Sequence, residues 1–566
     1  MNTRGHARSS NKQIILSLLG VNRGSSQSDL KGTQKKIDIL CLILVCLGAG
    51  YLATLQGFDS LPMNADTLAP FEEAKSLISN PNTHLFNIHV SRIASIFPDL
   101  TLNAFLQLIL PKAGFLEIFS WYSWCTSTIF LALTTVLIKE ITQGTQTLTA
   151  TSIKTSLAVI ALLNLSHQFN IVYAHILTPV HHGGNILNTL ILLILALRLL
   201  KGPKRLGTSI LFAILTCLAA MSNKLSIFTA AMPTGIIFLA YMQGHTRKKY
   251  LLILILSAST GLLLGSLLNE QCASPEFDLS KTLFALKQYF LLSWITTASA
   301  VVSIITIFYA TSPKTNLPLQ TKAGLTAISF SSLSYFIYLP MLTSSGEAPT
   351  RYICISYALL VVFLIYYINK FIRKENAIAL ITLTVFAVIS FQSPVRPYLN
   401  ITEHHSLKQE LLNRSERIEP FKNDAADFIH KMGYNSYLGV GEYWMTSATL
   451  LSNSKIFIVP ILKSGKPDFW GATPQDIREH IEKLKGDKTY LLSDNDKFKN
   501  QFETRYGTAT TTWNYDNETR KFTQRELETS NRLLIYDNPD IYKTIRKKSK
   551  HFSRQCNRSL PNYKKR

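Results

Sequence analysis

Asp66 stands in the stretch NADTLAPFEEA, about ten residues beyond the first long apolar segment of the chain. A carboxylate just above a membrane can take a proton from an acceptor hydroxyl or hold a divalent cation. The same residue before TLAPFEE also suits a helix N-cap. What recommends the chemical role is its company: Gln56 to Ala113 also carries Asp59, Glu72, Glu73, His84, His89, Arg92 and Asp99. Lys224 in AAMSNKLS and Arg351 in GEAPTRYI each sit where an apolar segment meets a polar loop. A cation there is costly unless it snorkels or meets an anion, and a lipid phosphate is a natural partner. Asn223 and Tyr352 adjoin these cations and could add hydrogen bonds. His175, His181 and His182, in AHILTPVHHGG, could bind a metal, two or three together, or hydrogen-bond an anionic group. Substrate contact is the stronger of those two, because a metal would need a further ligand from elsewhere. The Gly-Gly pair that follows permits close approach of a helix end or a ligand. His84, His89 and Arg92 share a face if their loop is helical. Interfacial anchoring explains the cations and histidines without any ligand.

The elements that must position these groups are membrane spans. Runs of ~18 or more apolar residues cross a bilayer as helices. About eleven are expected, at 39–56, 114–137, 156–176, 184–200, 207–221, 226–242, 250–268, 288–310, 324–343, 352–372 and 376–392. Hydrophobic residues make up 47% of the 566, and only 16% are charged. Net charge is +23, spread over membrane-flanking loops and a tail, which favours anionic lipid over nucleic acid as partner. Basic residues in the N-terminal arm (Arg4, Arg8, Lys12, Arg23, Lys31, Lys35, Lys36) and in alternate short loops place the N-terminus in the cytoplasm. An odd number of spans then puts the C-terminal region and the residues above outside. The first apolar segment follows a long polar arm and reads as a retained anchor. Ionisable residues are nearly absent from the middle of the spans, where ion-coupled transporters keep them; Asn164, His167 and Asn170 are the polar exceptions.

The expected fold class is an α-helical polytopic membrane protein with a soluble C-terminal α/β domain. Residues 1–38 form a cytoplasmic basic arm, and 39–394 the transmembrane domain with a long first outward loop at 57–113. Within that loop Thr67 to Leu77 and Asp99 to Leu110 are expected as short helices. Residues 395–542 alternate helical patterns (Glu419 to Met432, Glu442 to Leu451, Thr473 to Leu484) with strands at Tyr437 to Gly441, Lys455 to Pro460, Thr489 to Ser493 and Arg532 to Asp537. Residues 543–566 carry about ten Lys or Arg and no acid: a solvated tail, or a surface for anionic lipid or polymer. Seven cysteines form no CxxC pair, and only Cys272 and Cys556 are expected in an oxidising compartment.

This arrangement resembles the GT-C glycosyltransferases, integral membrane enzymes that use polyprenyl-phosphate-linked sugars. The resemblance covers most of the chain as architecture: a cytoplasmic N-terminus, a long first outward loop with short helices and an acid, many spans, and an outward C-terminal domain. It implies that Asp66 is the first-loop catalytic base and that Lys224 and Arg351 hold the donor phosphate. Tyr352, Asn223, His181, His182, Glu72 and Arg92 would line the substrate site. No Asp-x-Asp or Glu-x-Asp pair stands in the loop, so a divalent cation is left open as cofactor. A second resemblance is to bacterial polytopic membrane proteins with FPDL, S-[DN]-K, RY and YW elements. Here these are Phe97 to Leu100, Ser222 to Lys224, Arg351–Tyr352 and Tyr443–Trp444. Together they imply an inner-membrane enzyme of a bacterial envelope, moving a sugar from a polyprenyl phosphate to a lipid or glycan on the outer face. Trp121, Tyr122 and Trp124 could stack on sugar. The alternative is a non-catalytic flippase, transporter or assembly scaffold for envelope glycans, whose external domain docks a protein partner.

Overall fold

A computed structural model describes residues 27–58, 65–79, 85, 95–143, 147–179, 183–202, 206–268, 287, 294–338, 353–371, 407, 420–442, 458–461, 481 and 484–556. The chain is a multi-pass membrane protein. Four helices among the described residues are long and apolar enough to cross a bilayer: Gly32–Gly57, Phe115–Ile141, Gly183–Lys201 and Gly244–Leu268. A bent pair, Leu148–Asn164 with Phe169–Leu177, makes a fifth if it is one span. The shorter apolar helices Leu206–Ser222, Ile227–Tyr241, Thr296–Thr311 and Cys354–Lys370 fall where further spans are expected. The expected span 376–392 lies outside the described residues.

In chain order the helices of this region are α1 (Gln27–Gly57), α2 (Ala65–Ser79), α3 (Thr101–Ile109), α4 (Phe115–Ile141), α5 (Leu148–Leu165), α6 (His167–Leu177) and α7 (Gly183–Lys201). They continue as α8 (Leu206–Ser222), α9 (Met232–Tyr241), α10 (Gly244–Leu268), α11 (Trp294–Thr311), α12 (Leu319–Leu333), α13 (Tyr335–Tyr338) and α14 (Cys354–Phe371). Several carry an apolar stripe that is exposed among the described residues. Ile39, Leu40, Ile43 and Leu44 on α1 are exposed, as are Leu252, Ile255, Leu256, Leu263 and Leu267 on α10. In water such stripes would drive aggregation, whereas hydrocarbon matches them. The opposite faces bury Ser and Thr whose hydroxyls bond within the bundle. Ser127 and Tyr173 lie 2.6 Å apart, Thr296 and Tyr357 3.1 Å, and Thr306 and Tyr367 2.7 Å, each pair joining two helices. At the ends bearing the basic loops, Glu140 accepts from Arg198 at 2.7 Å and from Gln320 at 3.2 Å, tying α4, α7 and α12.

The third expected span is not one straight helix. α5 and α6 meet at 119°. Ser166 supplies the physical reason: its backbone is extended (φ −133°, ψ 108°), ending α5, while its hydroxyl accepts the Phe169 N–H at 3.1 Å as the N-cap of α6. A serine that caps satisfies a donor that a continuous helix would have paired internally. The polar residues Asn164, His167 and Asn170 cluster around this break. Elsewhere small residues set the spacing. A Cβ at Gly261 would lie 2.2 Å from the Cys217 carbonyl oxygen and one at Gly265 2.7 Å from that of Met221, so this i, i+4 pair lets α10 lie directly on α8.

The C-terminal region is a six-stranded mixed sheet with helices. Its strands are β1 (Tyr437–Gly441), β2 (Ile458–Pro460), β3 (Lys485–Ser493), β4 (Thr511–Asp516), β5 (Lys521–Thr523) and β6 (Arg532–Tyr536), in the order β2-β1-β3-β6-β4-β5. β1 pairs parallel with β2 and β3, and the β3–β6, β6–β4 and β4–β5 pairs are antiparallel. The helices are α15 (Pro420–Lys431), α16 (Asp496–Tyr506) and α17 (Pro539–Cys556). Phe421, Ala425 and Ile429 of α15 pack with Tyr490, Leu492, Leu533 and Ile535 in one core cluster. Phe498 and Phe502 of α16 and Ile541 and Ile545 of α17 join Leu491 and Leu534 in a second. The side chains of β3 and β6 thus alternate between two apolar layers, as the period of two requires. The expected helices Glu442 to Leu451 and Thr473 to Leu484 fall largely outside the described residues, as do Cys272 and Tyr443–Trp444.

Burial pushes the hydroxyls of Tyr490, Tyr515 and Tyr536 up in this region, and for Tyr515 donation to Asp424 adds to the effect. Arg520 also pairs with Asp424, at 2.8 Å. Because the folded-state pKa values are raised, the contribution of these groups to stability is full below about pH 10 and is lost as pH rises through the folded values. An alkaline titration should therefore show a late, cooperative tyrosinate step that coincides with loss of the sheet signal in circular dichroism. Ionisation of all tyrosines in one step near about pH 10 with the sheet intact would contradict it.

Candidate functional site

The FPDL stretch and the Ser222–Asn223–Lys224 stretch, far apart in sequence, are bound to one another. Residues Ile96–Leu100 form a single wide turn that leads into α3. Ser95, just before it, adopts a left-handed conformation (φ 40°), which a residue with a side chain holds only when its surroundings fix it. Those surroundings are the end of α8. The Ser95 N–H donates to the Ser222 carbonyl at 2.9 Å, and the Phe97 N–H donates to the Ser222 hydroxyl at 2.8 Å. That hydroxyl donates its own proton to the Leu218 carbonyl at 2.7 Å, so its orientation is set. The remaining carbonyls are answered in turn. Asn188 donates to Phe97 O at 3.0 Å, Thr101 to Pro98 O at 2.8 Å, and Asn103 to Asp99 O at 3.0 Å.

Beneath the turn lies the start of α7. A Cβ at Gly184 would come within 2.6 Å of Asp99 Oδ1 and 2.8 Å of Pro98 Cδ. The expected role of the Gly-Gly pair, close approach at a helix end, is met here by the turn rather than by a ligand. Asp99 is buried, and Tyr122 donates to its Oδ1 at 2.6 Å. Next to it Asn185 donates to the Thr229 hydroxyl at 3.1 Å, and Ser331 donates to the Thr229 carbonyl at 2.7 Å. α7, α12 and the turn Ile227–Ala231 after Lys224 are thereby held together.

α2 packs against α3, α4 and the FPDL turn. Gln107 of α3 donates to the Phe71 carbonyl at 2.9 Å, and the Phe71 ring meets Phe115 edge-on at 5.3 Å. Asp66 is the second residue of α2, and Glu72 lies half-buried on the same helix. In the Ser222–Asn223–Lys224 stretch the two neutral residues are buried while Lys224 is exposed. Asn223 Oδ1 accepts the Leu225 N–H at 3.0 Å, so part of its amide serves the turn. Arg92, His181, His182, Arg351 and Tyr352 lie outside the described residues. Among the described residues no group of three or more His, Cys, Asp or Glu comes together to hold a metal.

Of the three aromatics considered for sugar stacking, Tyr122 is fully buried and bound to Asp99, so no ligand can stack on it. Trp124 donates to the Leu47 carbonyl at 2.9 Å, and Trp121 alone of the three is exposed. Sequence reasoning missed the Asp99–Tyr122 pair and the Asn185–Thr229 link. A buried acid and a tyrosine with a partner leave no local pattern, although the FPDL match marked where to look.

Gly184→Val should cost about 1–3 kcal/mol through overpacking against Asp99 and Pro98. Lys224→Ala, at an exposed site, should change stability by less than about 0.5 kcal/mol. Thermal unfolding of both variants in detergent checks this, and an unshifted Gly184→Val would show that the turn does not rest on α7.

No family model matches the chain, and no curated protein matches it. Among solved structures it is similar to ArnT from Cupriavidus metallidurans in the apo state, with a TM-score of 0.49 and 8% sequence identity. The match covers 89% of this chain and 98% of that chain.

Proposed function

We propose that the chain is a GT-C-type membrane glycosyltransferase that moves a sugar from a polyprenyl-phosphate donor to a lipid or glycan of a bacterial cell envelope. It works at the outer face of the inner membrane, with its N-terminus in the cytoplasm and its C-terminal sheet outside. The observation that supports this reading is the fastening of the first outward loop to the Ser222–Lys224 corner. That fastening gathers the acid-bearing helix α2, the start of α7 and an exposed cation at one end of the bundle.

In this reading Asp66 takes the proton from the acceptor hydroxyl as its oxygen attacks the anomeric carbon. The bond from that carbon to the phosphate oxygen breaks, and the polyprenyl phosphate leaves with the electron pair. Lys224 and Arg351 meet the phosphate, whose charge grows as the bond breaks, and cations placed there favour that state over the ground state. Tyr352, Asn223, His181, His182, Glu72 and Arg92 contribute hydrogen bonds to sugar or acceptor. A divalent cation would add charge neutralisation on the phosphate without replacing the base.

Radiolabelled polyprenyl-phosphate sugars offered to membranes carrying the protein provide the test. Label should pass to a new product, and Asp66→Asn should lower the rate about 10²-fold or more at normal expression, the usual worth of a general base. Lys224→Ala should mainly raise the donor KM. Full activity in Asp66→Asn would remove this mechanism. If the folded wild type transfers from no donor in a broad panel yet flips labelled lipid in vesicles, the flippase or scaffold reading replaces it.

A further inference from the structure

The basic stretch that follows β6 begins as a helix whose apolar side is already in use. Ile541 and Ile545 of α17 are fully buried in the sheet's second core cluster. Tyr542 donates to the Ile481 carbonyl at 2.8 Å, and its ring lies over Gly486, where a Cβ would come within 2.6 Å of it. These contacts fix the rotation of the helix about its axis. At about 100° per residue, positions 543, 546, 547, 550 and 554 then fall within an arc of roughly 100° on the side opposite Ile541 and Ile545. The residues there are Lys543, Arg546, Lys547, Lys550 and Arg554. Lys543, Arg546 and Lys547 are exposed, and Asp540, which pairs with Lys543 at 3.1 Å, is the one acid of α17. From Ile541 to Arg566 there is no Asp or Glu. A helix held by its apolar side and cationic on the other cannot insert as a free amphipathic peptide would, but it can lie on a charged plane.

We propose that this face of α17 docks the C-terminal sheet onto the anionic phosphate headgroups of the bilayer that the chain itself spans. Charge complementarity carries the assignment. A lone surface lysine would gain little, but several cations along one helix, Lys543, Arg546 and Lys547 among them, meet a plane of phosphates together, each favouring contact by roughly fivefold. Because the sheet is joined to the spans by the same chain, the encounter is intramolecular and needs no free ligand. The docking is independent of whether the chain transfers sugar.

The full chain in nanodiscs of neutral phosphatidylcholine, or of phosphatidylcholine with phosphatidylglycerol, provides the test by amide hydrogen exchange. Exchange in 543–556 should be at least about fivefold slower with the anionic lipid, and high salt should erase the difference. Lys543→Gln, Arg546→Gln and Lys547→Gln together should also erase it, while arginine at 543 and 547 should preserve it. Unchanged exchange in β3 and β6 shows that the variants fold. Equal exchange in the two lipids would overturn the proposal. So would protection by a soluble polyphosphate in neutral nanodiscs that phosphatidylglycerol fails to reproduce, which would make a soluble anionic polymer the partner.

Discussion

Two hydrogen bonds from the backbone of the first loop to Ser222 hold one end of the helix bundle together. An extended, non-helical segment near hydrocarbon has no water to satisfy its amides, and each buried unpaired group costs about 1–3 kcal/mol. The FPDL turn meets that demand with fixed partners: one carbonyl, two hydroxyls and two asparagine amides. Ser222 can do this because it ends α8, where the carbonyl no longer has an intrahelical donor. Remove that helix end and the Ser95 and Phe97 amides lose their acceptors, and with them one of the ties that place α2 and α3.

The close contact of the turn with α7 follows from the same constraint. Membrane helices gain nothing from burying apolar surface against each other, since lipid is equally apolar, so close packing and polar bonds must do the work. Gly184 brings α7 under Asp99, and Gly261 with Gly265 brings α10 against α8, whose last residues hold the turn. The buried Asp99 is tolerable because Tyr122 donates to it within a dense network, where its carboxylate serves position rather than solvent-facing chemistry. That separates two acids of the same loop. Asp99 is built into the bundle, and Asp66 lies near the start of a helix that rests on it.

Much of this was legible from residue pattern. Apolar runs located the four long spanning helices and the shorter apolar ones because a bilayer demands them, and alternation located β1, β2, β3 and β6 to within a few residues because each packs on at least one apolar layer. The hairpin of β4 and β5 and the helix α16 were missed. Thr511–Asp516 is mostly polar and half-buried, and α16 is charged and polar along most of its length, burying only Phe498 and Phe502. The bend between α5 and α6 was hidden for another reason: its cause is a single serine whose capping role depends on geometry rather than hydropathy. At the site, FPDL and Ser222–Lys224 were visible as separate motifs. That they form one unit was not, since a contact between residues 97 and 222 leaves no trace in either stretch alone.

The division of labour inside the Ser222–Asn223–Lys224 stretch bears on electrostatics. Its two neutral members carry the structural bonds, Ser222 to the first loop and Asn223 to its own turn, and both are buried. The cation's side chain is left exposed and takes no part in that fastening. Structural bonds made by neutral groups are weak functions of pH and salt, whereas the field of an exposed ammonium is screened by salt. The platform therefore stays assembled across ionic conditions that change how strongly the exposed cation acts on its surroundings.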